Sequence, residues 1–351
     1  MRRLLWIFTV ILFGASLITM AVTGGGQKQP PQDAQQTQAP AEKTTVMISA
    51  AGDCTLANDE AAAGEGSFDA EVQAQNNDYS YFLRNVADIF REDQLTMVNF
   101  EGTLSTGGSR MDKQFAFRGK PDYVNILTSS SVEAANLANN HSKDYGEQSQ
   151  QDTIQTLENA NILCFNGTKT ALTQINGISV GLVGINALNE EQRGKLGEAV
   201  ASVKEQGAQL ILVNIHWGEE KATEPNDLQK QLAHQAVDAG ADLVIGHHPH
   251  VLQGIEKYNG KYIAYSLGNF CFGGNKNPAD KDSMIFRQTF TFENGAVLDD
   301  DNVEIIPCVI SSETGRNNYQ PTPAEGEAKQ QIIDKLNGYT QKLGALTLKF
   351  R

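Results

Sequence analysis

The chain has 351 residues, of which 40% are hydrophobic and 20% charged, an ordinary globular balance. It carries 28 Lys and Arg against 42 Asp and Glu, a net charge of −14. That balance argues against a broad electrostatic grip on nucleic acid or on any polyanion, because phosphate neutralisation needs Lys and Arg; an anionic ligand would need a local positive centre, for which a metal ion is the obvious source.

Arg2 and Arg3 precede an apolar run over residues 4–22. Its length suits a long signal peptide or a short transmembrane anchor. Thr19-Met20-Ala21 matches a cleavage site poorly. Residues 1–23 are therefore read as an uncleaved membrane anchor in preference to a cleaved signal peptide. The leading arginines place the rest of the chain outside the cell, tethered to the membrane, or secreted if cleavage occurs. Residues 24–44 are rich in Gly, Gln, Pro and Ala and form a flexible spacer.

The folded domain is expected over residues 45–312. Short apolar runs recur through it: TVMISAAGD, LTMVNFE, ISVGLVGI, LILVNIHWG, ADLVIGHHPH and YIAYSLGNF. Amphipathic segments at 79–91, 148–160 and 227–239 lie between them. Strands alternating with helices predict an α/β domain with its sheet inside. Residues 284–310 alternate more strongly and contain Asn294-Gly295, the signature of an antiparallel hairpin. Residues 313–351 read as a polar linker followed by a terminal helix. Cys54, Cys164, Cys271 and Cys308 match no zinc pattern or short disulfide framework and are read as buried free thiols.

The six histidines are not scattered. His141 lies in LANNHSKDYG, His216 in VNIHWGEE, and His247, His248 and His250 in IGHHPH. His234 sits within an amphipathic helical pattern and is read as a helix-surface residue. Each of the three motifs follows an apolar strand-like run, and so do Asp53, Glu101 and the pair Asn139-Asn140. In open α/β sheets, ligands bind outside the carboxyl ends of strands. Carboxylates, amides and imidazoles delivered there have the composition of a divalent-metal centre, one or two ions of manganese, iron or zinc, with no thiolates to suggest structural zinc. On a strand end, His248 and His250 would point the same way into one pocket, with His247 opposite and supporting.

The order Gly-Asp, Asn-x-Glu, Asn-Asn-His, His-Trp-Gly and Gly-His-His-Pro-His resembles the poly-γ-glutamate capsule synthesis (CapA) family, related to the calcineurin-like metallophosphoesterases. The likeness runs from about Thr45 to Phe272 and includes FAFRGKP and AGADLVIGHHPHVLQGIEKYNGKYIAYSLGNF. It implies a β-sandwich flanked by helices, a four-layer α/β/β/α arrangement. It further implies Asp53, Glu101, Asn140, His216, His248 and His250 as metal ligands and His141 as proton donor to a leaving group. Asn99, Asn139 and His247 would support them. One departure stands out: the related enzymes open with Asp-x-His, whereas Asp53-Cys54-Thr55 lacks the histidine. Two functions follow. One is a metal-dependent hydrolase acting on a phosphoester or a cell-surface polymer. The other is a non-catalytic assembly or export subunit that holds the nascent anionic polymer beside membrane synthase partners.

Overall fold

The computed structural model describes residues 43–298 and 301–351. The anchor or signal reading of residues 1–23 and nearly all of the spacer lie outside the described residues, within which no helix is long and apolar enough to cross a membrane.

Two large sheets organise the domain. The first has nine strands. At its centre is β1 (Lys43–Thr55), flanked in parallel by β2 (Leu95–Phe100), β3 (Ala134–Asn136) and β4 (Leu163–Phe165). The second has six strands. Its edge strand β5 (Ala171–Ile175) runs antiparallel to β6 (Ile178–Asn186), which leads in parallel to β7 (Leu210–His216) and β8 (Leu243–His247). An antiparallel pair, β9 (Ile255–Tyr258) and β10 (Lys261–Ala264), completes it. The first sheet is extended by β11 (Asn269–Phe272), parallel to β1, and by β12 (Asp282–Glu293), β13 (Ala296–Val297), β14 (Val303–Val309) and β15 (Thr322–Pro323). A small three-stranded sheet joins Asn58–Asp59, Thr103–Leu104 and Phe117–Gly119.

Alternation along the central strands explains how the sheets pack. Val46 and Ile48 of β1, Met97 of β2, Leu182 of β6, Leu212 of β7 and Ile245 of β8 share one buried core between the two sheets. The opposite face of β6 and β7, with Val183 and Ile215, packs on α3 (Leu196–Glu205) and α4 (Asp227–Ala239) through Val200 and Leu232. The opposite face of the first sheet packs on α1 (Phe68–Ala74) and α2 (Glu147–Asn159) through Phe68 and Leu157. Strands covered on both faces read as near-continuous apolar runs, as ISVGLVGI does. Helix α4 starts in a capping box between Asn226 and Gln229 and stops at Gly240, φ 118°. The terminal helix α5 (Gly326–Gln341) buries Ile332 and Leu336 in the inter-sheet core.

The Asn294-Gly295 hairpin forms between β12 and β13, with Phe292 opposite Val297 and both turn residues at positive φ. Two expectations fail. Residues 79–91 do not form one helix: a 3-10 turn at Tyr79–Tyr81 and a short helix at Ala87–Phe90 are separated by turns. Their apolar residues are buried as the period requires, but Asn85 in the middle donates to Gln320 and Thr322 of the C-terminal segment, and Ser80 and Arg84 donate to Asp78. Likewise YIAYSLGNF is two strands, β10 and β11, in different sheets. Gly268, φ 71°, lets the chain cross between them, and the Ser266 hydroxyl donates to Val251 O at 2.7 Å. The four cysteines are buried and unpaired.

Candidate metal centre

The carboxyl ends of β1, β2, β3, β7 and β8 meet where the two sheets adjoin. At the end of β1 the pairing with β2 slips between Ala51 and Asp53. Gly52 permits this, because a Cβ there would stand 2.1 Å from Gly268 O. The Asp53 N–H donates to that same oxygen at 3.0 Å. Asp53 Oδ1 accepts from Asn99 Nδ2 at 2.8 Å, and Asn99 Oδ1 accepts from Asn136 at 3.0 Å and from Asn139 at 3.4 Å. Asn139 in turn donates to Phe100 O and accepts the His141 N–H. Asn99 and Asn139 thus brace the end of β1 at Asp53 and the loop that carries His141.

Glu101 follows β2 directly. Its carboxylate is fully buried and neither oxygen has a hydrogen-bond partner. Oε1 lies 3.7 Å from His141 Nε2, 3.9 Å from His216 Nε2 and 4.0 Å from His250 Nε2. Burial pushes this carboxyl up to about 7; the charge of His250 opposes the rise and that of Asp53 adds to it.

His216 ends β7. Its Nδ1 is 3.4 Å from Asn99 Nδ2, an amide nitrogen that can only donate, so Nε2 carries the proton and donates to Asn140 Oδ1 at 2.8 Å. Burial, with neighbouring His248, holds His216 well below the usual histidine range, so the ring is neutral; to ligate an ion through Nε2 its proton would have to move to Nδ1, which would also free Asn140 Oδ1. His248 is lowered to about 4 by burial and by His250, and its ring stands 4.7 Å from that of His216. His250 places Nδ1 at 3.1 Å from Asp53 Oδ2 and 3.0 Å from Asn269 Oδ1. Two acceptors there fix the proton on Nδ1 and leave Nε2 toward Glu101. Burial pushes His250 down, but the charges of Glu101 and Asp53 overcome it and raise it to about 9. Asp53 responds in kind: burial pushes it up, and the His247 and His250 imidazoles override that and hold it well below the usual carboxylate range.

His248 and His250 share a cleft, their rings 5.8 Å apart, but not through strand alternation. Strand β8 ends at His247, and both residues adopt positive φ, 97° and 58°. Such backbone is strained for non-glycine residues and clusters at functional sites. His247 sits behind Asp53, with Nε2 donating to Asn214 Oδ1 at 3.2 Å and Nδ1 3.4 Å from Asp53 Oδ1. His234 pairs with Glu256 at 2.9 Å and stacks on Tyr258.

His141 is oriented by a residue the sequence did not single out. Its Nδ1 donates to Asp144 Oδ2 at 2.7 Å, which leaves Nε2 toward Glu101. Asp144 also accepts from the Phe117 N–H and from Lys113 Nζ, and the Phe117 ring packs 4.5 Å from the imidazole. Asn214, Glu220 and Asn269 were missed as well. Each lies in or beside a quoted motif, but a lone Asn or Glu carries no chemical signal until a partner faces it. A cavity of about 670 Å³ opens over the centre between Phe115, Phe117 and Phe272, with His141, His250 and Glu220 also lining it.

Two groups bring their ligand atoms within 4.8 Å of one another: Asp53, Glu101 and His250, and Glu220, His248 and His250. Both Glu101 oxygens and His248 Nδ1 are buried without hydrogen bonds, and Asp53 Oδ2 has only its ion pair with His250. A buried carboxylate without a partner is costly, and a cation supplies the missing counter-charge. The donor set therefore fits a divalent ion, and its mix of oxygen and imidazole suits manganese, iron or zinc. Thr55, at the position of the missing histidine, has a buried hydroxyl without a hydrogen bond.

Carboxylate, amide and imidazole side chains thus converge at the strand ends of an α/β domain. The family model described as "Bacterial capsule synthesis protein PGA_cap" matches residues 47–274, and the chain belongs to that family. It is 33% identical over 230 residues to the PGA biosynthesis protein CapA of Bacillus subtilis (strain 168), covering 59% of this chain and 60% of the relative. It is 31% identical over 247 residues to the capsule biosynthesis protein CapA of Bacillus anthracis, covering 62% of this chain and 60% of the relative. The matches thus span less than two thirds of those proteins. A hypothetical protein of Thermus thermophilus with a solved structure has 16% identity and a TM-score of 0.44, covering 75% of this chain and 99% of its own.

Proposed function

We propose that this capsule-synthesis family member is a metal-dependent hydrolase of metallophosphoesterase type, acting on an anionic cell-surface polymer such as poly-γ-glutamate. In this reading the two sheets and their outer helices are the four-layer sandwich of that class. The carrying observation is the fully buried Glu101, whose unpartnered carboxylate faces three imidazoles within 4.0 Å. Asp53, Glu101, Asn140, His216, His248 and His250 would hold the ion or ions. When bound, such an ion activates water and polarises a phosphoryl or acyl oxygen. The chain's own contribution is His141: Asp144 accepts its Nδ1–H, so Nε2 faces the cleft, and the doubly protonated ring would give its Nε2 proton to a leaving group. Residues 1–23 would tether the domain to the outer face of the membrane, beside synthase or export partners.

The full chain, loaded with manganese and checked for bound metal, should cleave poly-γ-glutamate or a phosphodiester, and His141→Ala should lose that activity with its metal content intact. A protein that binds metal yet turns over neither substrate rejects the hydrolase reading. Thr55 favours a second reading, a non-catalytic subunit that holds the growing polymer. Polymer output in cells then survives His141→Ala and fails with His248→Ala.

A further inference from the structure

A second cleft, about 250 Å³, adjoins the metal centre and shares Asn139 and Asn140 with it. It lies at the carboxyl ends of β3, β4 and β6, the edge at which α/β sheets bind ligands. No Asp or Glu lines it, in a chain of net charge −14. Five of its seven amide side chains share an unusual orientation; Asn139 and Gln150 instead donate, to Asn99 and Phe100 and to Ser142. Asn166 Oδ1 accepts the Thr168 and Lys169 N–H groups, at 2.9 and 3.1 Å. Asn186 Oδ1 accepts the Leu188 N–H, Asn189 Oδ1 the Gln192 N–H, and Gln192 Oε1 the Asn186 N–H, each at 3.1 Å. A backbone N–H can only donate, so these contacts fix each amide: the oxygen is consumed and the NH₂ group is left over. Asn140 joins them, its oxygen taken by His216. Among the described residues, none of these five NH₂ groups donates a hydrogen bond. Lys143 stands at the rim, paired with Glu147 at 2.7 Å.

A cleft offering donors whose matching acceptors are already used selects a ligand that only accepts. Carboxylate and phosphate oxygens do so, and neutral sugars or amides, which bring donors of their own, do so less well. We propose that this cleft is a subsite for the free carboxylates of an extended polyacid chain, holding the polymer beside the metal centre. The proposal rests on the polymer-directed function above. It supplies what the overall charge withholds: local attraction for a polyanion without a basic patch.

The decisive substitutions are Asn166→Asp and Asn189→Asp. Each keeps the oxygen that caps the local backbone and replaces the outward NH₂ by a carboxylate oxygen, so the fold is retained while the polarity of the cleft inverts. Binding of a fluorescent γ-linked glutamate hexamer to the full chain would be measured with manganese and again in EDTA. Each variant should weaken binding at least tenfold in both conditions. Gln155→Glu, an equal change of charge on the exposed face of α2, should leave it unchanged. Equal affinity in parent and variants overturns the proposal, as does equal weakening by Gln155→Glu. Inorganic phosphate is the competing arm: if it saturates the cleft while the hexamer fails to bind, the polymer assignment is overturned. The EDTA arm separates this proposal from hydrolysis, because the subsite binds whether or not the centre turns over.

Discussion

Glu101→Gln is expected to stabilise the metal-free protein while abolishing what metal adds. Raising a buried carboxyl from 4.5 to about 7 corresponds to about 3 kcal/mol against the charged native form. The native group holds its proton more tightly than the unfolded chain does. The penalty is therefore absent below pH 4.5, grows as pH rises to 7 and is complete above it. Gln keeps the shape and carries no charge, and His250 retains Asp53 as counter-ion at 3.1 Å. In EDTA at pH 8 the variant should melt higher than the parent, on the order of 5 °C. The gap should close by pH 4.5. With manganese at one hundred times its dissociation constant, the parent gains about 2.7 kcal/mol by mass action, and the variant should gain little of it. Scanning calorimetry at both pH values, with and without metal, reads all four quantities. A variant that melts at or below the parent in EDTA at pH 8, or that keeps the full metal-induced rise, would refute the reasoning.

Three further outcomes are expected. Because His250 is held at about 9 and its Nε2 must lose any proton to bind metal, manganese binding at pH 8 should release about one proton, and affinity should climb with pH up to about 9 and level off above it. Titration calorimetry in buffers of different ionisation enthalpy measures the release, and affinity that does not change between pH 7 and 9 contradicts it. Asp144→Asn should lower turnover roughly tenfold to a hundredfold with metal content unchanged, since an amide no longer fixes the His141 tautomer; steady-state kinetics with metal analysis decides this. Gly52→Ala forces a Cβ to within 2.1 Å of Gly268 O and should destabilise the fold by about 3 kcal/mol, visible as a lower urea midpoint; an unchanged midpoint would show that the close approach is dispensable.

How much was legible follows from the range of each signal. Strands β1, β2, β6, β7 and β8, helix α4 and the Asn294-Gly295 hairpin could be read because their codes are local: apolar runs, a capping pair, a turn that demands positive φ. The clustering of Asp53, Glu101, Asn140, His141, His216, His248 and His250 could be anticipated because parallel strands present their carboxyl ends on one edge. Residues 79–91 misled because their helical period describes burial, while Asn85 is drawn to side chains more than 230 positions away. His248 and His250 reach the cleft by a turn with positive φ that no alternation rule contains.

The chain order of chemical groups, and the alternation that places them at strand ends, was written in the sequence, because periodicity and turn chemistry act over a few residues. Only the folded molecule settled that two sheets share one core and that Asp144 aims His141. Only there do Asn166, Asn186, Asn189 and Gln192 turn the same polarity into one cleft. Those relations depend on which side chains meet across long sequence separations and which of their atoms are already bonded, and a one-dimensional pattern carries neither.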